Sequence, residues 1–189
     1  MKTQHHPPLL QSDLQFSHLG FHTTNLESMA DFYKEVLSFT ETDRGQLGAI
    51  NLIFLSRDPS EHHQIALIDG RPDHSPFCVI NQISFRVPNL SILRLFHDRV
   101  KNNPLASDLV SVTHGNAISI YFRDPEKNRI EIFMDTPWYC EQPLREIVDL
   151  NQPDEHIMAR AKDIAISRPH FQDRETWIES MKKRMGYLG

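Results

Sequence analysis

Four polar side chains on predicted strands could together hold a metal ion. His18 and Gln64 lie on the first and last strands predicted for one half of the chain, and Gln82 and Glu131 occupy the matching positions of the other half. One imidazole, one carboxylate and up to two amide oxygens could surround a divalent metal ion. Such a site would leave open positions at which a substrate with two adjacent oxygens could chelate.

These residues correspond because the chain nearly repeats itself. Residues 18–26 align with residues 82–90, and residues 54–59 align with residues 120–125. Two such modules placed side by side can build one central site with quasi-twofold symmetry. Residues at matching positions of the repeat are therefore the first candidates for chemistry.

Each repeat has the pattern of a βαβββ module. Asn25 and Asn89 can each cap a helix whose apolar residues follow i, i+3, i+4 spacing. Alternating apolar residues predict strands on either side of these helices, at 14–23, 39–43, 49–56, 64–68, 82–87, 110–113, 117–123 and 129–135. In the last strand Glu131 lies between apolar neighbours, so its charge must face solvent, a partner or a metal.

We therefore predict an α+β fold of paired βαβββ modules with a helical C-terminal extension. The predicted parts are a flexible N-terminus over 1–13, modules over 14–70 and 80–136, a linker over 71–79 and the extension over 137–189. Helices are expected after Pro153 and Asp173. The extension would wrap the modules or meet a second subunit, and a homo-oligomer with the Trp138 and Trp177 segments at its interface would be compatible with this arrangement.

Composition narrows the class of protein. The 189 residues carry a net charge of −5, which argues against a nucleic-acid partner. No run of 18 apolar residues predicts a membrane span, and the N-terminal segment lacks the apolar core of a secretion signal. Cys78 and Cys140 are too few for a disulfide framework and suggest reduced thiols, so we expect a cytoplasmic protein.

Several motifs resemble the vicinal oxygen chelate superfamily, which includes glyoxalase I, bleomycin- and fosfomycin-resistance proteins and extradiol dioxygenases. Residues 16–21 and 32–37 look like its opening, and residues 124–133 are similar to the ending that supplies its metal-binding glutamate. Residues 62–67 and 135–139 look most like the extradiol dioxygenase branch.

The resemblance implies roles for individual residues. His18 and Glu131 would be metal ligands, and the third ligand would lie at Gln82, where the extradiol family has a histidine. Tyr121 would hydrogen-bond a substrate oxygen, and His114 would move protons between the diol, dioxygen and water. Fe(II) is the favoured metal, with Mn, Zn or Ni as alternatives.

The leading prediction is thus a metal-dependent extradiol-type dioxygenase that uses dioxygen to cleave a catechol-like (biphenyl-2,3-diol-like) aromatic ring. Gln82 keeps two alternatives open, because a neutral amide oxygen should bind Fe(II) more weakly than an imidazole. One is a glyoxalase-like lyase or isomerase that uses Gln82 as a ligand. The other is a metal-free protein that binds a small molecule, as drug-sequestering members do.

Overall fold

A computed structural model of the chain describes residues 14–72 and 79–187. The first module contains α1 (Leu26–Glu35) and the strands β1 (Leu19–His22), β2 (Thr40–Leu47), β3 (Ile50–Ser56) and β4 (Ile65–Ile68). The second contains α2 (Leu90–Lys101) and the strands β5 (Ile83–Arg86), β6 (Ser107–Thr113), β7 (Ala117–Arg123) and β8 (Arg129–Asp135). The extension adds β9 (Trp138–Tyr139), β10 (Glu146–Ile147), α3 (Asp154–Ile166), β11 (Gln172–Asp173) and α4 (Arg174–Arg184).

The two modules share one strand order. The first sheet runs β1-β4-β3-β2, and the second runs β5-β8-β7-β6 with β10 added at its far edge. In each sheet the first and last strands of the module pair in parallel and the others pair antiparallel. This confirms the α+β fold of paired βαβββ modules predicted from the repeat.

Both predicted caps start their helices. The Asn25 side chain accepts a hydrogen bond from the backbone N–H of Ser28 at 3.0 Å, and the Asn89 side chain accepts one from that of Ile92 at 3.0 Å. The first strand is shorter than its alternation predicted, because its parallel partner β4 is itself four residues long. Residues 14–18 lie outside that ladder and are exposed.

The modules pack through the faces that carry their helices. Phe32 of α1 lies 6.4 Å from Phe122 of β7, and Phe39 lies 5.6 Å from Phe85 of β5, between ring centroids. The rest of the core follows the same faces of both sheets. Each sheet therefore has a second, open face, and on the first sheet this face is exposed at Gly20 and His22.

The extension packs against the second module. Trp138 is buried and donates its indole N–H to the carbonyl oxygen of Gly115 at 2.7 Å, and the Trp177 ring stacks on Tyr139 with centroids 5.1 Å apart. Both tryptophans thus make contacts inside the chain, and the homo-oligomer stays a prediction. Cys140 is a buried free thiol.

The predicted N-terminus 1–13, Cys78 and most of the linker lie outside the described residues. In the described part of the chain, no helix combines the length and apolarity that crossing a bilayer requires.

Candidate functional site

A row of polar side chains crosses the open face of the second sheet. Tyr121 of β7 and Ser84 of β5 both lie opposite Glu131 of β8, the strand between them. Residues of one strand two positions apart share a face, so Gln82 and Ser119 extend the row on either side. Sheet register alone therefore gathers these side chains around one carboxylate.

Glu131 is buried, with 7% of its surface exposed, and its carboxylate accepts four hydrogen bonds. One oxygen receives the amide N–H of Gln82 at 2.9 Å and the hydroxyl of Ser84 at 2.6 Å. The other receives the hydroxyls of Ser119 at 2.9 Å and Tyr121 at 2.6 Å. An ionised carboxylate offers about four acceptor positions, so this set of donors fills them.

His114 continues the row beyond Tyr121. Its Nε2 lies 3.0 Å from the Tyr121 hydroxyl and 3.7 Å from the Glu131 carboxylate, while its Nδ1 lies 2.6 Å from the carbonyl oxygen of Leu144. A carbonyl oxygen only accepts, so Nδ1 carries a hydrogen. Tyr121 donates its single hydroxyl hydrogen to Glu131, so toward Nε2 of His114 its oxygen acts as an acceptor. The row can therefore pass a proton between imidazole, phenol and carboxylate.

Tyr121 remains a donor under ordinary conditions. Burial raises the pKa of its hydroxyl well above the usual value, and the hydrogen bond to Glu131 and the charge of that residue raise it further. The guanidinium of Arg145, 5.8 Å from the centre of the ring, opposes this shift.

The loop that carries His114 is locked by the extension. Gly115 has φ +73°, and a Cβ there would lie 2.5 Å from the Cys140 sulfur. The carbonyl oxygen of Gly115 accepts from Trp138, and that of His114 accepts from the amide of Gln142 at 2.7 Å. The extension thus fixes the imidazole that faces Tyr121.

Two cavities flank the polar row. The first, which we call the arginine pocket, has a volume of about 410 Å³ and is lined by Gln82, Asp108, Tyr121, Arg123, Arg129 and Arg145. The second, of about 250 Å³, is lined by His114, Glu131, Tyr139, Gln142, Arg174 and Trp177. In both, the extension supplies part of the wall.

Comparisons with known proteins agree with this architecture. Residues 15–132 match the Glyoxalase/Bleomycin resistance protein/Dioxygenase superfamily. The chain belongs to this superfamily. A glyoxylase/bleomycin resistance protein/dioxygenase domain from Frankia sp. EAN1pec shares the fold, with a TM-score of 0.56 and 17% identity over 65% of this chain and 98% of that one. The fosfomycin resistance protein FosX from Mesorhizobium loti has a TM-score of 0.51 and 21% identity over 65% of this chain and 92% of its own.

The chain is also similar in sequence to a protein whose name gives an enzymatic activity. Biphenyl-2,3-diol 1,2-dioxygenase 3 of Rhodococcus globerulus is 28% identical over 126 residues, which are 64% of this chain. The match spans 63% of that enzyme's length, so this chain corresponds to less than two thirds of it.

The structure brings together only part of the set suggested by this family. Gln82, Glu131, His114 and Tyr121 form one hydrogen-bonded row. His18 is exposed and forms no hydrogen bond or ion pair with them. Its Nδ1 lies 3.4 Å from the Ser17 hydroxyl, and its ring packs on the imidazole of His63.

Gln64 is also directed elsewhere. Its side-chain oxygen accepts the backbone N–H of Arg57 at 3.0 Å, which closes the turn between β3 and β4. Gln64 and Gln82 do line one groove of about 760 Å³ between the modules. The aromatic lining of this groove includes Phe39, Phe85 and Phe96.

The donors around Glu131 do not fit a resident metal ion. Its acceptor positions are already taken by protein donors, and Gln82 presents its N–H rather than its oxygen, since a carboxylate only accepts. The imidazole that lies near this carboxylate is that of His114, at 3.7 Å, and His18 forms no ion pair with it. No three His, Cys, Asp or Glu side chains within 14–72 and 79–187 form a metal-binding group. The assignment of His18, Gln82 and Glu131 as ligands stays a prediction.

Sequence reasoning did not single out several members of the site. Ser119 shares a face with Tyr121 by strand alternation, so its position could have been found from the pattern of β7. Arg145 and the carbonyl of Leu144 come from an irregular stretch of the extension, where no periodic signal places a side chain.

Proposed function

We propose that this chain binds a hydroxylated aromatic small molecule against the Tyr121–His114 end of the polar row, without a metal ion between protein and ligand. The observation that carries the proposal is the saturation of the Glu131 carboxylate by four protein donors. A carboxylate held in this way orients its neighbours and has no acceptor position left for a cation.

The surroundings suit such a ligand. The arginine pocket, at about 410 Å³, falls within the range of roughly 300–1,000 Å³ that is typical of ligand sites. A ligand hydroxyl placed beside Tyr121 could exchange its proton with the Tyr121–His114 pair, since both groups can donate and accept. The named activity of the Rhodococcus relative, on a biphenyl diol, supports a phenolic ligand.

A second candidate is the metal-dependent extradiol dioxygenase. It is favoured by the 28% identity to biphenyl-2,3-diol 1,2-dioxygenase 3. It would require Fe(II), or less favourably Mn, Zn or Ni, to displace donors from Glu131 and to recruit His18. A glyoxalase-like lyase has weaker support, because Gln64 stands where a second carboxylate would be needed and is bound to its own turn.

Calorimetric titration of catechol separates the two candidates. We expect the same dissociation constant for protein treated with EDTA and for protein loaded with Fe(II), and no change in His18→Ala. Tyr121→Phe should weaken binding about tenfold, because it removes one hydrogen bond of roughly 1.4 kcal/mol. Binding that requires Fe(II), together with oxygen consumption that His18→Ala abolishes, would overturn the proposal and establish the dioxygenase.

A further inference from the structure

The arginine pocket places three guanidinium groups beside the polar row. Arg123 and Arg129 face each other directly as a cross-strand pair on β7 and β8, next to the pair formed by Tyr121 and Glu131. Like charges opposite each other destabilise a sheet. Arg145 approaches the same pocket from the extension.

Within the described part of the chain these charges are poorly neutralised. Arg123 donates to the carbonyl oxygen of Lys127 at 2.9 Å and pairs with the exposed Asp108 at a long 3.7 Å. Arg129 and Arg145 form no ion pair with any residue of 14–72 or 79–187. In a chain with a net charge of −5, this is a local excess of positive charge that an anion would relieve.

We infer that the arginine pocket binds the carboxylate group of the ligand, so that the preferred ligand is an aromatic acid that also carries ring hydroxyls. This inference rests on the proposed function, because it assigns the second polar group of the same ligand. A guanidinium donates two parallel N–H groups that match the two oxygens of a carboxylate. The ligand would place a ring hydroxyl at Tyr121 and its carboxylate at the arginines.

Three ligands test the hydroxyl site at Tyr121 and the carboxylate site at the arginines separately. They are catechol, benzoate and 2,3-dihydroxybenzoate. We expect 2,3-dihydroxybenzoate to bind about tenfold more tightly than catechol at low salt, and the advantage to shrink as salt is added. Arg129→Gln and Arg145→Gln should each remove most of that advantage, measured within each variant as the ratio of the dissociation constants of catechol and 2,3-dihydroxybenzoate. Arg160→Gln, an exposed position on α3, removes the same charge elsewhere and should change nothing.

The possible outcomes are distinct. Equal affinities for catechol and 2,3-dihydroxybenzoate would overturn the carboxylate assignment while leaving phenolic binding intact. Binding of benzoate that depends on Arg129 and Arg145, with no binding of catechol, would support the carboxylate site and overturn the proposed function. An advantage that Arg160→Gln reduces as strongly as the pocket variants would mean general charge attraction and would also overturn the inference.

Discussion

Replacing Glu131 by glutamine tests whether its carboxylate is kept for a metal ion or is saturated by protein donors. The two roles predict opposite changes in the stability of the fold. A ligand carboxylate kept for a metal is poorly satisfied in the metal-free protein, so neutralising it costs little or stabilises the fold. The carboxylate of Glu131 accepts four hydrogen bonds from protein donors in a buried position. Neutralising it should therefore destabilise the fold.

The size of the effect follows from these contacts. Hydrogen bonds to a charged group contribute about 1.5–3 kcal/mol each, and those between neutral groups about 0.5–1.5 kcal/mol. The glutamine oxygen can keep two donors, and the hydroxyls on its amide side can turn to accept. The change from charged to neutral acceptor then costs about 3 kcal/mol in total. With a urea dependence of roughly 2 kcal/mol per molar, the unfolding midpoint should fall by about 1.5 M.

The assay is urea unfolding followed by circular dichroism, in EDTA, with wild type and Glu131→Gln measured side by side. Glu146→Gln is the matched control, because Glu146 is exposed on β10 and its substitution should change stability by less than about 0.5 kcal/mol. An unfolding midpoint for Glu131→Gln equal to or above that of wild type would refute the saturated carboxylate and with it the proposed function.

Two further changes probe the framework of the site. Gly115→Ala should lower the free energy of unfolding by about 2–4 kcal/mol, because it places a side chain at a positive φ, clashes with Cys140 and displaces His114. A thermal unfolding midpoint within 2 °C of wild type would contradict this packing. Burial raises the pKa of Asp124 to about 6 against 3.8 unfolded, despite its hydrogen bonds to Asn128 and the backbone. The stability that the neutral Asp124 carboxyl contributes is thus complete below about pH 4 and is lost as the pH rises through 6. The free energy of unfolding of wild type relative to Asp124→Asn should therefore fall by about 3 kcal/mol between pH 4 and 7. Parallel pH profiles of the two proteins in urea unfolding would show the raised pKa to be wrong.

Most of the fold could be predicted from local patterns. Alternation located the strands, helical spacing with Asn25 and Asn89 located both module helices, and the repeat predicted that both modules share the βαβββ pattern. The open-face position of Glu131 also followed, because a charge between buried apolar neighbours on a strand has only one face available. The predicted strand ends were less accurate, because a strand ends where its pairing partner ends, as β1 does beside β4.

The sequence by itself determined which residues share the open face of the second sheet, because period-two alternation is a property of each strand alone. The tertiary structure decided what those residues meet. Alternation reports which face of its own sheet a side chain occupies, and it carries no information on how two sheets pack. The modules here pack through their helix-bearing faces, and in this arrangement His18 forms no hydrogen bond or ion pair with Glu131. Likewise, only the packing of an irregular extension around Gly115 could bring His114 to Tyr121 and Arg145 to the arginine pocket.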